Sequence, residues 1–195
     1  MKIKNDKKNY GATSKFFHWT SAASFIGAYL VVYYVIWFMD DTQPESMPVL
    51  NVHWALGLIV GSLVIPRLLW RWLNVEPEAP ESSAAEHVLA QCAHYGLYAL
   101  MILMPLTGYV GTGAPTDFGL FSVTAFNETR LFAWFSSATG ITWEAFEPPV
   151  DAVHHFVGKW VAWVVVGLHV IAALMHHFVR RDNVLVRMMP GNWQK

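Results

Sequence analysis

Nine histidines are spread along the 195 residues, and five of them fall in one otherwise apolar stretch, DAVHHFVGKWVAWVVVGLHVIAALMHHFVRR, Asp151 to Arg181. Imidazole can ligate a metal, relay protons, or pack with a hydrogen bond. Ionisable side chains are costly in hydrocarbon, and inside membrane segments they face the protein interior and mark function. The other reactive residue types are sparse. A single cysteine, Cys92, excludes an internal disulfide framework and any cysteine-based metal or iron–sulfur site. A net charge of −1 lacks the basic footprint of a nucleic-acid partner.

The elements that must position these histidines are membrane spans. The chain is 54% hydrophobic and 14% charged, where a soluble domain carries roughly 25% charged residues. Ten Trp and twelve Phe add aromatics of the kind that gather at bilayer interfaces. A spanning helix needs about 20 mostly apolar residues, and four segments qualify: Phe16–Phe38, Val52–Trp72, His87–Val110 and Ala152–Val179. The basic N-terminus runs straight into apolar sequence that ends at Asp40-Asp41 without a small-residue cleavage site, so it reads as a retained anchor. The expected fold is all-α, a four-helix transmembrane bundle.

Lysine and arginine set its orientation. Lys2, Lys4, Lys7, Lys8 and Lys15 precede or open the first span, Arg67 and Arg71 end the second, and Arg180, Arg181, Arg187 and Lys195 follow the fourth. The first connection has neither residue type, and the long third one has only Arg130, with Lys159 just inside the fourth span. Both termini are therefore expected to be cytoplasmic. The outer connection, 111–151, is rich in aromatics and interrupted by Pro115, Pro148 and Pro149. It is expected to form an ordered lid with a short interfacial helix near Glu128–Ser137.

On a straight α-helix each residue turns about 100° and rises about 1.5 Å. His155 and His169 are fourteen residues apart, so they fall within roughly 40° of one face and about 21 Å apart along the axis. His176 follows one heptad later on nearly the same face, while His154 and His177 point elsewhere. His18 opens the first span at the cytoplasmic side and His53 opens the second at the outer side. Depth therefore pairs His53 with His155 and His18 with His169. Two histidine pairs from facing helices, stacked across a bilayer, suit two six-coordinate b-type haems. Zinc favours four clustered ligands, and a proton relay more often recruits intramembrane Asp or Glu, which no span carries at its middle.

Other residues carry two readings each. Gly57 and Gly61 leave room for a flat macrocycle beside His53, or serve close helix–helix contact. Arg67 and Arg71, fourteen and eighteen residues after His53, could pair with haem propionates or snorkel to headgroups. His94, on the third span, has no partner at its depth, and His87 is expected to be solvated.

The residues then resemble a known family, the bacterial cytochrome b561 proteins of the inner membrane. The resemblance runs through Phe17-His18-Trp19, the VHW at His53, PRLLWR at Pro66–Arg71 and MPLTG in the third span. Its most specific part is GLHVIAALMHHFVRRDNVLVRMMP, Gly167 to Pro190. The resemblance implies a four-helix bundle with two non-covalent haems b, bis-histidine ligation carried onto His18, His53, His155 and His169, and electron exchange with the quinone pool. One member is a superoxide oxidase that reduces ubiquinone. The bundle is also similar to cytochrome b subunits that carry electrons for hydrogenases and formate dehydrogenases.

This chain departs from the superoxide oxidase pattern in its outer connection, which is long and carries Asp117, Glu128, Glu144, Glu147 and Asp151 against Arg130 alone. Capture of an anion benefits from a basic surface. The expectation is a di-haem electron-transfer protein between an outer donor and ubiquinone, with membrane lipid around it. Superoxide:ubiquinone oxidoreduction is the favoured activity, and a carrier subunit for a dehydrogenase or hydrogenase is the alternative. His176, beyond the inner pair, is the candidate for the quinone side.

Overall fold

The computed structural model describes residues 2–40 and 43–191. Asp41 and Lys195, used above as a span boundary and a tail charge, lie outside the described residues. Four helices are long and apolar enough to cross a membrane. They are α1 (Ala12–Phe38), α2 (Met47–Leu73, entered through a 3₁₀ turn at Pro44–Ser46), α3 (Ala84–Val110) and a fourth span, Trp143–Arg180.

Local chemistry sets several boundaries. Ser83 caps α3, its hydroxyl accepting from the Glu86 N–H while the Glu86 carboxylate accepts from the Ser83 N–H. This reciprocal box satisfies two of the donors that every helix start leaves unpaired and extends α3 beyond the expected His87. The fourth span begins nine residues before the expected Ala152. Pro148 and Pro149 do not interrupt it, because proline already has a near-helical φ and forfeits one backbone bond. The carbonyls left without those donors belong to Glu144 and Ala145, both at exposed positions.

The fourth span is not a uniform α-helix. It runs as α5 (Trp143–Phe156), a π-helical turn at Val157–Val161, α6 (Ala162–Met175) and a second π turn at His176–Arg180. Arg181 then takes a left-handed conformation (φ 56°) and a short helix, α7 (Val184–Met188), closes the described chain.

Residues 111–142 form the expected ordered lid at the end of the bundle away from the termini. Thr116–Asp117 (β1) and Ser122–Val123 (β2) pair antiparallel, with Thr116 opposite Val123. The short helix α4 (Arg130–Thr139) is capped by the Thr129 hydroxyl and ended by Gly140 at φ 74°. Its register is two residues later than Glu128–Ser137. Phe126, Phe132, Phe135, Trp143 and Phe146 pack ring against ring beneath it.

Within the bundle α1 packs closely along α2, α2 on α3, and α3 on α5 and α6. The fourth span makes few backbone approaches to α1 or α2. It reaches α1 instead through long aromatic side chains: Tyr29 donates to the Gly158 carbonyl at 2.7 Å, and Trp163 Nε1 donates to the Tyr33 hydroxyl at 3.1 Å. Leu100, Met104 and Ala162, with Phe25, Tyr29, Val157 and Val165, form an apolar layer at mid-bundle.

The ends of the chain are tied together. The buried Lys15 ammonium donates to the carbonyls of Met189 and Gly191, and Trp19 Nε1 to that of Met188. Arg187, also buried, donates to the carbonyls of Lys8 and Glu78. Arg180 pairs with Glu86, linking the foot of the fourth span to the start of α3.

Candidate functional site

The histidines gather at two levels, one on each side of the apolar layer. At the level nearer the lid, the His53 and His154 ring centres lie 6.3 Å apart with perpendicular planes. His53 Nδ1 is 2.8 Å from the Ala28 carbonyl of α1. A carbonyl only accepts, so the proton sits on Nδ1 and Nε2 keeps its lone pair. His154 Nδ1 lies 3.0 Å from Thr107 Oγ1, whose own proton goes to the Leu103 carbonyl at 2.7 Å. Thr107 therefore accepts from His154, and that ring too presents a bare Nε2. Fixing the tautomer of a ligating histidine through its other nitrogen is the usual outer-shell arrangement at metal sites.

In the structure it is His154, not the expected His155, whose ring lies against that of His53. The His155 side chain is 74% exposed and its Nε2 lies 3.4 Å from the Asp151 carboxylate on the outside of the helix. The cause is the π turn at Val157–Val161. A π turn accommodates one extra residue without advancing the helix face, so the fifteen residues from His154 to His169 turn the helix as fourteen would in a straight one. The face shared with His169 passes from His155 to His154.

At the level nearer the termini, His18 and His169 have ring centres 6.2 Å apart. His94 of α3 joins them, with its ring centre 6.0 Å from that of His169. The sequence reading gave it no partner at its depth; it lies ten residues inside α3, whereas His18 and His53 each lie six residues inside their helices. Arg67 Nη2 makes a long contact of 3.4 Å with His18 Nδ1, beyond ordinary hydrogen-bond length, and the Arg67 and Arg71 guanidinium carbons lie 5.5 and 5.6 Å from the Tyr98 ring centre. Tyr98 is one helical turn from His94, so α3 presents both to the arginines of α2. Arg71 also pairs with Glu76 at 2.7 Å.

His176 points into the tail, its Nδ1 2.5 Å from the Asp182 carboxylate. Burial acts to raise the Asp182 carboxyl, but the bonds from His176 and the Val184 N–H outweigh it and hold it below the ordinary carboxylate value.

Whether these residues fit haem can be tested on the spacing alone. An imidazole–metal bond is about 2.0 Å and the ligating nitrogen lies roughly 1.1 Å from the ring centre, so imidazoles on opposite sides of one metal have centres about 6.2 Å apart. Both pairs meet that spacing and each joins two different helices; His94–His169 at 6.0 Å comes close to it, and the adjacent His154 and His155 share 6.3 Å on one helix. A Cβ added at Gly57 would meet nothing within 4 Å, and Gly57 lines the cavity containing His53 and His154 together with Gly108, Met104 and Thr116. Gly61, by contrast, lies against Pro105, where a Cβ would come within 2.9 Å of the proline ring. Of the two readings offered for these glycines, open space holds for Gly57 and helix contact for Gly61. Among the described residues no group of three His, Cys, Asp or Glu is close enough to hold a bare metal ion. The residues fit a cofactor that brings its own equatorial ligands.

The model of the prokaryotic cytochrome b561 family matches residues 9–191. The chain belongs to that family. It is 28% identical to cytochrome b561 homolog 2 of Escherichia coli over 97% of this chain and 95% of that one. It is 29% identical to the probable superoxide oxidase CybB of Yersinia pestis over 71% of this chain and 73% of that one, and 22% identical to cytochrome b561 homolog 1 of E. coli over 93% and 97%. Membership makes this a transmembrane electron-transfer protein of a family that implies haem b.

Proposed function

We propose that the protein carries two haems b, one between His53 and His154 and one between His18 and His169, and passes electrons between an outer donor and ubiquinone. The observation that carries this is that histidines of different helices meet at two levels of one bundle, with ring centres 6.2–6.3 Å apart. When bound, haem b with two axial histidines supplies one-electron redox chemistry at an iron without an open position. The chain's own residues do the rest. The Ala28 carbonyl and Thr107 hydroxyl orient the outer pair. Arg67 and Arg71 offer cationic partners for propionate carboxylates, where planar guanidinium groups pair well. The layer of Leu100, Met104, Phe25 and Tyr29 keeps water out between the levels.

The lysine and arginine bias supports both termini on the cytoplasmic side of a bacterial inner membrane. The lid then faces outward and the His18, His94 and His169 level faces the cytoplasm. Ubiquinone is expected at that inner end, where His176 lies beyond the inner pair. Quinone reduction by His176→Ala protein with unchanged haem content tests that residue: a slowed rate supports a quinone role, and a normal rate leaves His176 as an anchor of the tail.

Superoxide is the favoured donor, on the strength of the relative named a probable superoxide oxidase. Stopped-flow mixing of the oxidised protein with superoxide tests it, with rapid appearance of the reduced α-band expected. No reduction would favour the second reading, an electron-carrier subunit docked to a partner dehydrogenase. One observation supports that second reading specifically. Asp117, Glu128 and Glu144 are all exposed on the outer face, and such a surface repels an anion and suits a cationic docking partner.

A further inference from the structure

The lid displays apolar side chains where a water-facing loop would not. At the hairpin tip Leu120 is 97% exposed and Phe121 61%, and on α4 Leu131 and Trp134 are 62% and 68% exposed. The tip, Phe118-Gly119-Leu120-Phe121, carries no charge.

Three observations say what covers it. First, the hairpin is clamped to the start of a spanning helix. Asn51, in the second turn of α2, donates to the Asp117 carbonyl at 2.8 Å and accepts from the Asp117 N–H at 2.7 Å. The hairpin is therefore held beside the first two turns of a helix long and apolar enough to span a membrane. Second, two of the backbone donors of the turn are paired within the hairpin. Phe118 N–H donates to the Phe121 carbonyl at 2.9 Å and Gly119 N–H to the Asp117 carboxylate at 2.8 Å. Pairing lowers the cost of taking these donors out of water, and Gly119 permits this turn at φ 80°. Third, the remaining exposed residues of the lid include Trp134, of the type that settles at the headgroup level.

We infer that the hairpin tip, with the exposed edge of α4, inserts into the outer-leaflet interface of the surrounding membrane, its partner being glycerolipid rather than a protein. Thr116 of β1 lines the cavity that holds His53 and His154, so a hairpin fixed in lipid also fixes the rim of that cavity. The anchor itself does not depend on what the histidines ligate.

Site-directed spin labelling tests it. Leu120→Cys is made in full-length Cys92→Ser protein, labelled with a nitroxide and reconstituted in phosphatidylethanolamine–phosphatidylglycerol vesicles. Leu120 has no neighbours to lose, so folding is not at stake. The expected result is relaxation enhanced several-fold more by oxygen than by a water-soluble nickel chelate, the signature of a label in lipid. Dominant enhancement by the nickel chelate would overturn the inference in favour of a tip in water. A strongly immobilised label shielded from both would overturn it in favour of a protein partner or a second copy.

Discussion

His154 and His155 are adjacent and chemically identical, yet only His154 has its Nδ1 held by a neighbouring helix and its ring against that of His53, while His155 Nε2 lies beside Asp151. The histidine whose Nδ1 is held by Thr107 should matter, and the one facing Asp151 should not. His154→Ala is expected to bind half the haem of the parent protein, measured per chain by pyridine haemochromogen, and His155→Ala to bind all of it. The reverse result would restore the pairing that straight-helix geometry selects. His94→Ala, with His18 intact, is expected to keep both haems, whereas His18→Ala loses the inner one. Three of the four proposed ligands, His18, His53 and His169, were legible from sequence because each needs only a span boundary or a local motif to place its depth. The fourth was not, because its azimuth depends on every residue between it and His169. Hydrogen-bond partners such as the Ala28 carbonyl come from a different helix and leave no local trace.

At the scale of elements, the four spans and the short helix in the lid could be read from apolar length and aromatic spacing. The π turn could not, since Val157-Gly158-Lys159-Trp160-Val161 has the composition of ordinary spanning helix. A π turn amounts to one residue too many in an α-helix, which gives it a sharp test. Deleting Lys159, exposed and beside Trp160, should let the segment close as α-helix with His154 and His169 still on one face, and haem content should stay at the parent level. If the deletion halves haem content instead, the turn is not the source of the register change. The start of the fourth span was misjudged for a different reason: two prolines look like a boundary, but an exposed stretch of helix tolerates them.

The whole molecule is closed at its terminal end by contacts distant in sequence, from Lys15, Trp19, Arg187 and the Arg180–Glu86 pair. His176 and Asp182 fasten the tail into this closure. Because the Asp182 carboxyl is held below its ordinary value, its contribution is fully present above about pH 4, the unfolded carboxylate value. It is lost as pH falls through the lower folded value. Asp182→Asn should lower stability at pH 7 by about 1–2 kcal/mol, roughly 2–8 °C in thermal unfolding, and should flatten the acid limb. An unchanged melting temperature would mean the tail is held by Lys15 and Arg187 alone. The extra residue at Val157–Val161 also reaches beyond this chain. Wherever a relative lacks it, a column-by-column alignment anchored on GLH at His169 slips by one position above the turn. Roles copied across such an alignment would land on His155, so the outer half of this helix has to be compared by facing direction rather than by residue count.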